Sequence, residues 1–189
     1  MTLLLSFALG VLATLLGLVL VQRVAGFPSQ KVRDHRALQP AFDLPTRLSG
    51  PMDCTGTIFG PLGRVSSRFK ARMHTSWNGP NGIMDENFTY DDGSTQTRQW
   101  RLTIGQDGSL RAEADDVPEA GHGQLAGNAL RLTYQIRLPK ENGGHVLDAV
   151  DWMYLQQDGT ILNRSQFRKY GIMVAELFCV MRPEEDEDA

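Results

Sequence analysis

Cysteine is scarce. The 189 residues hold two, Cys54 and Cys179, too few for a disulfide scaffold or a cysteine-ligated zinc module. Charge of one sign is also missing: 19 Lys and Arg face 22 Asp and Glu, and five of those acids, Glu184 to Asp188, fall in the last six residues. The remainder is close to neutral, which excludes a nucleic-acid or other polyanion binder. His35, His74, His122 and His145 are scattered, with no metal-ligand spacing. Glu113, Asp115 and Asp116 alternate faces along a strand and do not converge on an ion. No Gly-x-Ser-x-Gly elbow, dinucleotide-binding glycine pattern or P-loop is present. The expectation is a chain with no metal and no cofactor, and at ~100–200 residues per domain it makes one domain plus its ends.

Charge is absent altogether from Met1 to Val21. The run Leu3 to Val21 would span about 28 Å as a helix, close to the ~30 Å of a bilayer core. No basic start and no small-residue cleavage site accompany it, so it reads as a single membrane-spanning anchor over 1–22 rather than a cleaved signal. A linker follows over 23–40. Its Arg23, Lys31, Arg33 and Arg36 against Asp34 bias the domain toward the cytoplasmic side.

After residue 50 no amphipathic helix of useful length appears. Turn signals recur instead, at Gly60-Pro61-Leu62-Gly63, Asn78-Gly79-Pro80, Asp92-Gly93, Asp107-Gly108, Gly127-Asn128, Asn142-Gly143-Gly144, Asp158-Gly159 and Gly171. The intervening runs have a period of two. In Arg64–Trp77 the residues Val65, Phe69, Ala71, Met73 and Trp77 alternate with Arg64, Arg68, Lys70, Arg72 and His74. Leu130, Leu132, Tyr134, Ile136 and Leu138 do the same against polar neighbours. One dry and one wet face per strand means an antiparallel sheet with a single interior. Long strands joined by tight turns favour an all-β, up-and-down, lipocalin-like barrel of about 8–10 strands over a sandwich. The barrel domain covers 41–183, with a short helical turn started by Asp43 and Pro45, and an acidic, disordered tail follows over 184–189. The basic stripe Arg64 to His74 reads as a solvated face or as a contact for anionic headgroups. In a closed barrel the first and last strands are neighbours, so Cys54 and Cys179 are either two buried thiols or, if the domain is exported, a disulfide.

Polar residues that share a face with apolar ones mark the candidate site. A three-residue loop, Asp91-Asp92-Gly93, pairs Glu86 with Arg98 and Met84 with Trp100. Glu86 then points with Phe88 and Tyr90, and Arg98 with Trp100 and Leu102. An inward carboxylate opposite an inward guanidinium forms a partly desolvated ion pair, either holding the wall or holding a ligand's carboxylate or phosphate. A second cluster runs from Asp151-Trp152-Met153-Tyr154 to Asn163-Arg164-Ser165-Gln166-Phe167-Arg168-Lys169. There both faces are apolar, so one must meet the amino-terminal turn, the bilayer or a partner. Asp151 needs a cation, which Lys169 or Arg164 would supply, and Glu176 poses the same question.

Several ordered motifs resemble one bacterial family: Gly-Pro-Leu-Gly-Arg-Val-Ser-Ser-Arg-Phe (60–69), Glu-Asn-Phe-Thr-Tyr-Asp-Asp-Gly (86–93), Arg-Gln-Trp (98–100), Ala-Asp-Asp-Val (114–117), Gly-Asn-Ala (127–129), Asp-Trp-Met-Tyr (151–154) and Asn-Arg-Ser-Gln-Phe-Arg-Lys-Tyr-Gly (163–171). The family is catalogued as domain of unknown function three-eight-three-three, and the resemblance covers residues 41–182. It implies an envelope-associated protein on the periplasmic side, often a lipoprotein, and transfers no catalytic residue. This chain departs from it in having no lipid-attachment cysteine near its leading helix.

Together these features predict a non-catalytic binding protein of a bacterial inner membrane, single-pass, taking a lipid or fatty-acyl compound. Its ligand-binding candidates are Glu86, Arg98, Trp100, Tyr134, Asp151, Trp152, Asn163 and Lys169. The alternative is an assembly module with no pocket, binding a protein partner through the outer faces of strands 145–156 and 171–181. A third reading, an enzyme with Glu86 or Asp151 as acid or base, has no reaction attached to it.

Overall fold

The computed structural model describes residues 2–184. The period-two runs form ten strands. The first five are β1 (Gly50–Phe59), β2 (Val65–Asn78), β3 (Asn81–Tyr90), β4 (Thr95–Ile104) and β5 (Ser109–Glu113). The rest are β6 (Gly121–Ala126), β7 (Ala129–Arg137), β8 (Val146–Leu155), β9 (Ile161–Lys169) and β10 (Ile172–Pro183). Each pairs antiparallel with its sequence neighbours and β1 meets β10, so the sheet closes into a barrel in which every strand has two partners. Along β2, Phe69, Ala71, Met73 and Thr75 are buried while Arg68, Lys70, Arg72 and His74 stand in solvent. The alternation set by the residues is the alternation of lumen and exterior.

Eight of the nine connections fall at the glycine-bearing turns of the sequence. At the β9–β10 turn both Tyr170 and Gly171 adopt positive φ, the twist a two-residue hairpin requires. The ninth connection, 114–120 between β5 and β6, carries no such signal.

The lower end of the barrel, where β1 begins, is closed by α2 (Leu44–Arg47). Proline at its first turn starts it, as Asp43-Leu44-Pro45 predicts, although the Asp43 side chain bonds Thr46 rather than the backbone. Phe42, Leu44 and Leu48 are buried in the barrel core, and the Trp77 indole donates to the Leu48 carbonyl (2.8 Å). Gly82 makes room for that indole: a Cβ there would lie 2.7 Å from the Trp77 ring.

Residues 27–35 form two 3-10 turns that wrap the outer wall of β7 and β8. Phe27 packs with Ala129 and Trp152, under the Arg164 guanidinium (4.8 Å to the ring centre), and Tyr154 donates to Gln30 (2.7 Å). The failed alternation in β8 thus has a cause: its inner face meets the lumen and its outer face meets the chain's own linker. Before the linker, α1 (Thr2–Ala25) is an apolar helix; its Thr2–Val21 stretch is long enough to cross a membrane and is exposed, and a membrane anchor and a signal sequence share this form. Cys54 and Cys179 lie on neighbouring strands as buried, free thiols. Glu184 pairs with Arg72 (3.1 Å), and the rest of the acidic tail lies outside the described residues.

Candidate functional site

The barrel encloses a cavity of about 110 Å³, room for several water-sized occupants but smaller than the ~300–1,000 Å³ of sites that swallow a drug-sized molecule. Its walls are mainly apolar, with Leu102, Leu130 and Leu132 beside Met73, Met84, Met153 and Met181. Unbranched thioether chains change rotamer readily, so a lining of this kind adapts to an occupant better than packed β-branched residues would. Phe69, Phe88 and Tyr90 cluster higher in the lumen (ring centres 5.4–6.3 Å apart). Phe69 enters the lumen because position 56 is glycine: a Cβ there would stand 2.3 Å from its ring.

Six of the eight candidate residues of the sequence line this cavity: Glu86, Arg98, Trp100, Tyr134, Asp151 and Asn163. The β3–β4 register is the predicted one, Glu86 opposite Arg98 and Met84 opposite Trp100. The predicted ion pair is not formed. Glu86 accepts instead from the Trp100 indole (3.2 Å), and Arg98 binds Asp116. The loop between β5 and β6 delivers that carboxylate to the guanidinium, which is why the directly opposed residue loses it. Burial drives the Glu86 carboxyl up to about 7, against the lowering effects of Arg98 and the Trp100 bond. Arg98 stays charged: burial works against it, but Tyr134, Glu86 and Asp116 outweigh that and raise its pKa. Its guanidinium lies over the Trp100 ring (5.5 Å), and Trp100 meets Tyr134 edge to face (5.3 Å).

Among the described residues Asp151 makes no ion pair, contrary to expectation, and the cation that acts on it from a distance is Arg98. Burial raises the Asp151 carboxyl to about 6, against the lowering effects of Ser165, Tyr134 and Arg98. Lys169 is turned away to His145 (2.8 Å) at the upper rim, and Arg164 reaches Glu176 on the outer wall (2.7 Å). Tyr134 is raised well above an ordinary phenol, first by burial and then by Asp151. Asn163 donates to Ser165 (3.1 Å). Trp152 faces outward under the linker. It and Lys169 therefore stand apart from the other six.

Among the described residues, Arg98 Nε, Asp151 Oδ1 and Asn163 Oδ1, all on residues that line the lumen, are buried without a hydrogen-bond partner. Unpaired groups of this kind are costly in an apolar interior and rare in native proteins.

The wall has one weak side. β4 pairs with β5 only from Arg101 to Ile104, and β6 with β7 only from His122 to Ala126. Above those rungs Thr95–Trp100 and Tyr134–Arg137 have no ladder partner on that side, and residues 114–120 cover the gap. Ala114 and Val117 are buried there, and the Arg137 amide donates to the Asp116 carbonyl (2.7 Å). Outside lies a groove of about 560 Å³ whose lining includes Gln96, Arg98, Asp116, Arg137 and Lys140. Arg98 and Glu86 border both groove and cavity. Sequence reasoning put Asp116 on a strand with Glu113 and missed its role: β5 ends at Glu113, and a carboxylate in an irregular connection gives no hint of which strand it will reach.

A family model described as a protein of unknown function, DUF3833, matches residues 21–183. No curated protein matches the chain. Among solved structures, Rv2717c from M. tuberculosis is similar at 16% identity and a TM-score of 0.55, over 78% of this chain and 99% of that one. An S-type phycobiliprotein lyase from Guillardia theta is similar at 6% identity and a TM-score of 0.55, over 84% and 99%. A protein of unknown function from the DUF3598 family of Nostoc punctiforme gives 11% identity and 0.52, over 77% of this chain and 51% of its own length. At these identities the likeness is one of fold.

Proposed function

The chain belongs to the DUF3833 family, whose model covers most of its length, and on that premise we propose that it is a membrane-anchored, non-catalytic binding protein for an amphipathic small molecule, a lipid or fatty-acyl compound, in a bacterial envelope. The observation that carries this is the composition of the lumen: an adaptable apolar cavity lined by the residues that carry the unpartnered Arg98 Nε, Asp151 Oδ1 and Asn163 Oδ1. Apolar walls favour a hydrocarbon, and a few convergent polar atoms fix its polar end. A phycobiliprotein lyase built on a similar barrel supports a small-molecule role for the fold. In this reading residues 1–22 cross the inner membrane once, 23–40 tie the anchor to the wall, and 41–183 hold the ligand. The basic flank Lys31, Arg33 and Arg36 favours a cytoplasmic barrel.

Native mass spectrometry of the full chain released from membranes in mild detergent tests it. A discrete adduct of lipid or fatty-acyl mass, one per protein, is expected. A chain that is always empty, and that stays empty when fatty acids, fatty alcohols and lysolipids are added, would overturn the reading.

A further inference from the structure

The contact between Arg98 and Asp116 is only half made. An arginine and a carboxylate in full register share two parallel hydrogen bonds. Here Nη2 of Arg98 meets one oxygen of Asp116, while Arg98 Nε and Asp116 Oδ1 are both buried and both unpartnered. The Arg98 side chain is 14% exposed and borders the lumen on one side and the groove on the other. It is an anion site that its present occupant does not fill. The groove's acids other than Asp116 are engaged elsewhere: Asp85 accepts from Gln99 (2.8 Å) and Asp115 from Arg101 (3.3 Å). Glu86 is taken by the Trp100 indole. Asp116 also belongs to the segment that covers the gap between β4 and β7, and few other bonds hold that segment: Arg101 to the exposed Asp115 carboxylate, Arg137 to the Asp116 carbonyl, and Val117 to the Ala114 carbonyl.

We propose that Asp116 is a built-in stand-in for the ligand's head group: the carboxylate of a single-chain fatty acid takes Arg98 from it, residues 114–120 are released, and the chain enters the lumen sideways between β4 and β7. The proposal rests on the lumen-binding reading above and specifies its ligand class and its entrance. A carboxylate is the natural competitor because it reproduces the group it displaces and adds the second hydrogen bond, to Nε. The cavity, about 110 Å³, must widen by rotation of its methionines to take any acyl chain, and one narrow chain asks less of it than a two-chain lipid does. Charge balance is preserved, since one carboxylate replaces another on the guanidinium while Asp116 moves out to water. Arg137 and Lys140, on the groove side, would meet it there.

The full chain in nanodiscs, titrated with decanoic acid and with decanol and followed by tryptophan fluorescence and amide hydrogen exchange, tests this. In the native chain the acid should bind in preference to the alcohol and should raise exchange across 114–120, whereas the alcohol should leave that segment protected. Asp116→Asn, which empties the site of its competing charge, should tighten the acid by about tenfold or more, by removing the closed-state penalty, and leave the alcohol unchanged. Arg98→Gln should abolish the preference. Equal binding of acid and alcohol, with 114–120 protected in both and no gain in Asp116→Asn, would overturn the proposal while leaving lumen binding intact. No binding of either ligand to any form would overturn both readings. The native-chain exchange arm needs no substitution, so a folding defect in a variant does not shield the proposal.

Discussion

Glu86 and Asp151 sit in the same lumen and hold protons that an unfolded chain would release. Their carboxyls titrate near 7 and 6 in the folded barrel, against ordinary values of 4.5 and 3.8. The folded state therefore binds more protons than the unfolded one between those limits, and stability falls as pH rises through the window. Below about pH 4 the two contributions are fully present, and above about pH 7 they are gone. Glu86→Gln keeps the shape and removes the titration. It should be less pH-sensitive than the native chain and more stable at pH 8, with Glu86 accounting for about 3 kcal/mol of the native chain's loss between pH 4.5 and 8. Thermal melts followed by near-ultraviolet circular dichroism at several pH values would show it; parallel curves for the two proteins would contradict it. Much of this residue-level picture is legible in the sequence. The Asp91-Asp92-Gly93 loop sets the register that puts Glu86 opposite Arg98. What is not legible is which carboxylate wins the guanidinium, because Asp116 is 18 residues away along the chain and approaches through a tertiary gap. Trp152 was hidden for a related reason: in a strand buried on both faces, alternation no longer says which residues look inward.

At the scale of the element, the lower plug depends on a glycine. Trp77 clasps α2 through the Leu48 carbonyl and has space to do so only because Gly82 has no side chain. Gly82→Val should push the indole out of the lumen and loosen the plug, costing about 1–3 kcal/mol by overpacking. The melting temperature should fall, and Phe42, Leu44 and Leu48 should lose amide protection before the strands do. Unchanged protection in α2 would contradict the plug's dependence on Trp77. The same scale shows why turns were easy to place and the β5–β6 connection was not. Eight connections use Gly, Asn or Asp where the backbone demands them, and those residues advertise a turn. Residues 114–120 are held by buried Ala114 and Val117 and by the ion pair of Asp116, and tertiary contacts leave no local signature. The connection that the sequence conceals is the one that covers the gap in the wall.

For the whole molecule, one chain makes three kinds of burial: strands around a lumen, a helical plug inside its lower mouth, and a linker wrapped over its outer wall. Closure of ten strands follows from periodicity and turn spacing. The linker's seat follows from Gly127, where a Cβ would lie 1.8 Å from the His35 carbonyl oxygen, and from the second apolar face of β8. This arrangement ties the end of the leading helix to the outer wall and keeps the linker out of the lumen. The chain's three tryptophans report on three separate places: Trp77 at the plug, Trp100 in the lumen and Trp152 beneath the linker. Fluorine NMR of the full chain labelled with 5-fluorotryptophan, each resonance assigned by a single Trp→Phe replacement, therefore tests lumen binding most directly. Adding decanoic acid should shift the Trp100 resonance saturably, at one ligand per chain, while Trp152 stays in place. A shift confined to Trp152, or no shift at any of the three at saturating ligand, would contradict it.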